Sequence, residues 1–202
     1  MRATVSRALI GAALLVACGG PGSGGSSLRG YVPPAPKNVG NVSVTEWTPD
    51  GARDFDFVAR PGDVLVVYFG YTNCPDMCPT TMVAVKNAKN RIGDALAARV
   101  DLAMVTVDPA RDKGENLSRY LGSFADRNHA LVPADDAELE NAKSAFQVTS
   151  TVTERSDGTA EVSHSASAYV VDDTGTVVVE WPFGLDAESM ANDLEILLSG
   201  KS

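Results

Sequence analysis

The chain has 202 residues, 44% of them hydrophobic and 21% charged, which suits one soluble domain with a real core. Its formal net charge of -9 and pI of about 4.6 argue against nucleic acid and anionic lipid as partners of the folded domain. A cation or a basic protein suits that surface better, and solubility alone is the simpler reading of the charge.

The N-terminus reads as a leader. Arg2 and Arg7 precede a short apolar run over 8–17 that is too short to span a bilayer. The run ends in Leu15-Val16-Ala17-Cys18, which resembles a bacterial lipobox. The resemblance implies a signal peptide over 1–17, cleavage before Cys18 and lipid on that cysteine. An ordinary secretory signal with an incidental cysteine is the alternative. Loss of Arg2 and Arg7 removes two positive charges and takes the chain from -9 to -11. Residues 19–27 are all Gly, Pro or Ser, so a flexible tether is expected over 18–30 and the domain over 31–202. This order suits a lipid-anchored protein on the extracytoplasmic face of a bacterial cell membrane. No later run is apolar and long enough to span.

Within the domain, 31–37 is Pro-rich and reads as extended, 42–47 as a short strand, and 58–60 as lying near a second strand. Pro61-Gly62-Asp63 marks a turn. The run 64–69 is apolar, β-branched and aromatic throughout, the pattern of a strand buried on both faces. Residues 79–98 predict a helix with Met82, Val85, Ala88 or Lys89, Ile92 and Leu96 on one stripe, and Pro79 in its first turn. A second buried strand is expected over 101–107, helices over 116–124 and 137–146, and a small strand over 130–132. Ser156-Asp157-Gly158 and Asp172-Asp173-Thr174-Gly175 each predict a hairpin turn. A terminal amphipathic helix spans 186–198. The order predicts an α/β, thioredoxin-like fold: a central mixed sheet flanked by helices, with an additional β-hairpin insertion.

With Cys18 assigned to lipid, Cys74 and Cys78 remain for the domain. They sit between the first buried strand and the long helix. Unpaired amides and the dipole at a helix start favour negative charge, so lowered thiol pKa values are expected there. Residues four apart share a helical face, so the sulfurs can form a disulfide or bind one soft ion together. Copper(I) matches two thiolates plus an imidazole. Zinc with both histidines, His129 and His164, is the competing site, and a structural disulfide is the plainest reading. His129, in a polar stretch, is expected to be an exposed loop residue.

The string Phe69-Gly-Tyr-Thr-Asn-Cys-Pro-Asp-Met-Cys-Pro79 resembles the signature of the Sco/SenC family. So do Thr106-Val-Asp-Pro-Ala-Arg-Asp112 and His164-Ser165, in the same order. The resemblance covers roughly residues 40–200. It implies a membrane-tethered thioredoxin-like domain that binds copper through Cys74, Cys78 and His164. It further implies delivery to the dinuclear copper centre of cytochrome c oxidase subunit II, after loading by a copper donor protein. Asp108 is placed near the site, either supporting a ligand or contacting a partner, with a turn or cap role as the alternative. Asp76 is placed where it tunes the field at the sulfurs. The chain departs from the family at Ser163, where an Asp usually precedes the histidine, which puts the orienting carboxylate in doubt.

The same sulfurs also permit a thiol-disulfide oxidoreductase that reduces the acceptor's cysteines, or a redox or copper sensor. An oxidoreductase has no need of His164. A non-enzymatic chaperone is the main expectation, as a monomer.

Overall fold

The computed structural model describes residues 27–154 and 160–200. The leader, Cys18, the tether as far as Ser26 and the turn at 156–158 lie outside the described residues.

Four strands come first: β1 (Lys37–Asn38), β2 (Ser43–Thr48), β3 (Gly51–Asp56) and β4 (Val64–Gly70). Helices α1 (Met77–Arg91) and α2 (Asp94–Ala97) follow, then β5 (Val100–Thr106), α3 (Gly114–Gly122), β6 (Asn128–Leu131) and α4 (Asp136–Phe146). The chain continues through β7 (Ser150–Glu154), β8 (Ala160–His164), β9 (Ala168–Val171), β10 (Thr176–Trp181) and α5 (Ala187–Leu198). Eight strands form one mixed sheet in the order β1-β10-β9-β4-β5-β6-β2-β3, with β4, β5 and β6 parallel. β7 and β8 form a separate two-stranded ribbon. This is the mixed, helix-flanked sheet with an inserted hairpin that the element order predicted.

Every residue of β4 and of β5 is buried. Val66 and Tyr68 of β4 face α1, α3 and α5 through Met82, Val85, Leu117, Leu121, Met190 and Leu194. Leu65, Val67 and Phe69 point the other way, onto Leu139, Ala142 and Phe146 of α4. A strand with a layer on each face needs a continuous apolar run rather than an alternating one.

Two expectations need correction. The predicted helix over 79–98 is two helices, because Gly93 adopts φ 77 and ends the first. The second strand that 58–60 adjoins is β3, which ends at Asp56. β3 is an edge strand, exposed except at Phe55, so it carries no apolar period. Instead of lying in an exposed loop, His129 sits on β6, where its Nδ1–H donates to Glu46 at 2.8 Å and its Nε2 lies 3.7 Å from Asp101.

The N-terminal segment is strapped to the domain. The Asp193 carboxylate, fully buried on α5, accepts hydrogen bonds from the main-chain N–H of Arg29 (2.6 Å) and Gly30 (2.9 Å) and from Trp181 Nε1 (3.0 Å). Asn192 Nδ2 donates to the Ser27 carbonyl. A Cβ on Gly30 would stand 2.5 Å from Val179 and 2.7 Å from Trp181, so only glycine lies this close. Residues 28–30, placed in the tether on composition, are held against the fold.

Asp193→Ala is expected to cost about 2–3 kcal/mol, since it orphans the buried Trp181 N–H and frees the strap. Trypsin should then cleave after Arg29 much faster than in the wild type, as mass spectrometry of a digestion time course will show.

Asp101 supplies a pH prediction. Burial alone would raise its carboxyl, but His129 at 3.7 Å and the hydrogen-bonded Arg127, with the charge of both, hold it at about 2 against an ordinary 3.8. Arg127 donates two hydrogen bonds, at 2.5 and 2.7 Å. A depressed carboxyl adds stability that is complete above its unfolded pKa and is lost as pH falls from about 4 through about 2. Asp101→Asn should therefore lower urea stability by about 2 kcal/mol at neutral pH, with the gap closing over that acidic window.

Candidate metal centre

β4 ends at Gly70, and the loop that follows is pinned before α1 begins. The Thr72 N–H donates to both oxygens of Asp112, at 3.3 and 3.0 Å, and its hydroxyl donates there too. Thr106 Oγ1 donates to the same carboxylate at 2.7 Å. Asp112 is buried, so one carboxylate ties the end of β5 to the cysteine loop. The Cys74 N–H donates to the Tyr71 carbonyl at 3.2 Å, which turns the chain into α1.

The helix then places the sulfurs. Cys78 is fully buried in the first turn of α1, and Cys74 is half-buried just ahead of it. Both are free thiols. The Cys78 main-chain N–H points at Cys74 Sγ, 3.3 Å away. The helix-start amide thus serves Cys74, whereas Cys78 lies among apolar side chains. Burial pushes the Cys78 thiol up to about 12, and the hydrogen bond and charge of Cys74 push the same way. The expected lowering of the Cys78 pKa is therefore corrected: desolvation outweighs the helix start.

His164 reaches the thiols from the end of β8. Its Nδ1 lies 2.8 Å from the Ser165 carbonyl, which can only accept, so Nδ1 carries the proton. In the neutral ring this leaves the Nε2 lone pair free, 3.5 Å from Cys78 Sγ. A main-chain carbonyl orients the imidazole, where the family pattern would supply an Asp in place of the exposed Ser163. Tyr68 and Tyr71 stand edge-on to the ring, with centroids at 5.8 and 6.1 Å.

One donor atom from each of Cys74, Cys78 and His164 lies within 4.8 Å of the other two. Around a single ion with bonds of about 2.0–2.3 Å, three donors sit about 3.5–4 Å apart, so a small inward shift closes the set. Two sulfurs and one imidazole nitrogen form a soft set of low coordination number, suited to copper(I). His129 is held by Glu46 and does not join them, so the two-histidine zinc alternative lacks its fourth ligand.

The remaining sequence candidates lie apart from this cluster. Asp108 is buried beside Tyr71, but its carboxylate pairs with Arg111 at 2.6 Å. Asp76 is exposed at the N-cap of α1, where it accepts from Thr80 and makes no side-chain cap. Cys18 lies outside the described residues. Asp112 was quoted in the sequence only as the end of a motif. Its signal was a second carboxylate six residues after Thr106, at the close of a buried strand.

A paired thiol and imidazole at the carboxyl end of a central parallel strand defines a thioredoxin-like protein equipped to bind a soft metal. The chain belongs to the SCO1/SenC family, whose family model matches residues 53–199. It is 25% identical over 133 residues to an SCO2-like protein of Rickettsia prowazekii, covering 64% of this chain and 63% of that one. The chain thus spans less than two thirds of that relative's length. The solved structure of Bradyrhizobium japonicum ScoI with copper bound is similar at TM-score 0.65 and 27% identity, over 76% of this chain and 96% of that one. A SCO1/SenC family lipoprotein from Bacillus anthracis is similar at TM-score 0.61 and 25% identity, over 85% and 99% of the two chains.

Gly70 holds this arrangement open. A Cβ there would stand 2.5 Å from Met104 Cε, 2.8 Å from Tyr68 Cε1 and 3.0 Å from Cys78 Sγ. Gly70→Ala should lower stability by about 1–3 kcal/mol, read as the urea midpoint, because it forces the Cys78 turn outward.

Proposed function

We propose that this chain is a copper metallochaperone. It takes up one copper ion on Cys74 Sγ, Cys78 Sγ and His164 Nε2 and releases it to an acceptor protein. The observation that carries this reading is the convergence of three donors of the right softness within 4.8 Å. The copper-bound Bradyrhizobium relative supports the choice of metal. The acceptor is the dinuclear copper site of cytochrome c oxidase subunit II, as the family resemblance implies, and a separate donor protein loads the chain. Lipid on Cys18 holds it at the extracytoplasmic face of the cell membrane, and the lipoprotein relative from Bacillus anthracis supports that anchor. No described helix is long and apolar enough to cross a membrane.

The geometry suggests a mode of transfer. Cys78 and His164 are buried, whereas Cys74 is half-buried at the mouth. An acceptor thiolate meets the ion on the Cys74 side, so exchange begins there. Uptake displaces thiol protons, and affinity rises with pH. Asp76, exposed two residues after Cys74, and Asp108, paired with Arg111, are not ligands in this reading.

A thiol-disulfide oxidoreductase is the second reading. The adjacency of two free thiols, one of them on a half-buried residue, favours it. His164 separates the two readings.

Anaerobic copper(I) titration of the reduced domain against a competing chelator is expected to give one ion per chain, lost in Cys74→Ser and Cys78→Ser. His164→Ala should weaken binding by at least about tenfold while leaving disulfide exchange intact. A stoichiometry of zero, or an affinity indifferent to His164→Ala, would move the assignment to the oxidoreductase.

A further inference from the structure

Tyr68 lies two residues before the end of β4 and is fully buried. Its ring edge and the Cys78 sulfur flank one point above Gly70, with Cε1 at 2.8 Å and Sγ at 3.0 Å from where a Cβ would stand. Its ring also meets His164 edge-on. The hydroxyl lies beside the side chains of Cys78 and Thr81. Neither contact reaches hydrogen-bond geometry, so Tyr68 Oη and Thr81 Oγ1 are both buried without a partner.

Burying a hydroxyl without a partner is unfavourable, and phenylalanine would fill the same space without that cost. A thiol is a poor acceptor, and the Tyr68 hydroxyl makes no hydrogen bond to Cys78 in this structure. A thiolate is a strong acceptor because it carries charge. Metal binding turns Cys78 into that acceptor.

We propose that Tyr68 is a positioning residue whose hydroxyl, unpaired in the dithiol form, donates a hydrogen bond to the Cys78 sulfur once that sulfur is a metal-bound thiolate. Thr81, three residues after Cys78 on α1, then donates to Tyr68 Oη and completes a short chain of hydroxyls. The inference rests on Cys78 being a copper ligand. The hydrogen bond draws electron density from the sulfur, which fixes its orientation and tunes the bound ion.

The test compares wild type, Tyr68→Phe, Thr81→Val and Cys78→Ser by two readouts. Thermal unfolding of the reduced, metal-free protein should give Tyr68→Phe a midpoint equal to or above wild type, because an orphaned hydroxyl has gone. Copper(I) affinity of the same variant should fall roughly tenfold, the loss of one hydrogen bond to a charged acceptor. Thr81→Val should weaken affinity in the same direction and by less. In the copper(II)-loaded protein, the sulfur-to-copper absorption band of Tyr68→Phe should move to longer wavelength, which a packing role alone would not produce. Unchanged affinity and an unshifted band in Tyr68→Phe would overturn the proposal and leave copper binding standing. So would a metal-free Tyr68→Phe protein clearly less stable than wild type. If Cys78→Ser binds copper(I) as wild type does, the ligand assignment fails and the role of Tyr68 falls with it.

Discussion

The site depends on β4 being buried on both faces. A seven-residue apolar strand inside a sheet, with α1, α3 and α5 on one side and α4 on the other, has no freedom to slide. Its parallel register with β5 runs from Val64–Val100 to Gly70–Thr106 without a shift. The loop that leaves Gly70 therefore opens at a defined height beside the loop that leaves Thr106. In open α/β sheets that carboxyl edge is where ligands bind. Asp112 converts adjacency into rigidity by holding Thr72 on one loop and Thr106 on the other. Cys74 follows two residues after Thr72, so its position is inherited from the register of two strands.

The electrostatics divide the two thiols. Two effects compete at the start of α1: its free amides favour an anion, and burial disfavours one. Cys74 takes the amide, through the Cys78 N–H, and keeps contact with solvent. Cys78 takes the burial. A metal cation changes the balance at the buried sulfur, because it brings its own charge into a place where an isolated thiolate is costly. A buried thiol that yields its proton to a cation is selective for ions that bind sulfur strongly. A half-exposed partner gives that ion a way in and out.

The sequence made some of this legible and hid the rest for physical reasons. β4, β5 and α1 announce themselves because their burial imposes apolar patterns that nothing else explains. The cysteine pair was readable because its place between a buried strand and a helix follows from those same patterns. β3 was not readable, since an edge strand facing solvent keeps polar residues on both faces. His129 was misread because its partners, Glu46 and Asp101, lie on strands far away in the chain. Asp193 gave no signal either. A buried carboxylate on an apolar helix makes sense only once the main chain of Arg29 and Gly30 arrives to donate to it. Local pattern reports burial well, whereas long-range polar pairing leaves almost no periodic trace.

The strap and the hairpin together show how a site made of distant parts stays assembled. β10 ends at Trp181, paired with Ala168, and Ala168 in turn pairs with Tyr68. Asp193 binds the Trp181 indole and the N-terminal main chain at that same end of the sheet. Whatever pulls on the N-terminus is therefore resisted at the end of the sheet from which the cysteine loop leaves. His164 has a different support, because β8 belongs to the small ribbon and not to the main sheet. The ribbon is closed at its base, where Ser165 N–H donates to the Thr149 carbonyl at 2.8 Å and Thr149 N–H donates to Ser165 Oγ at 3.0 Å. The histidine leaves the ribbon one residue before that lock, and the Ser165 carbonyl orients its ring. The imidazole is thus fixed by the base of the hairpin, far along the chain from the loop that carries the thiols.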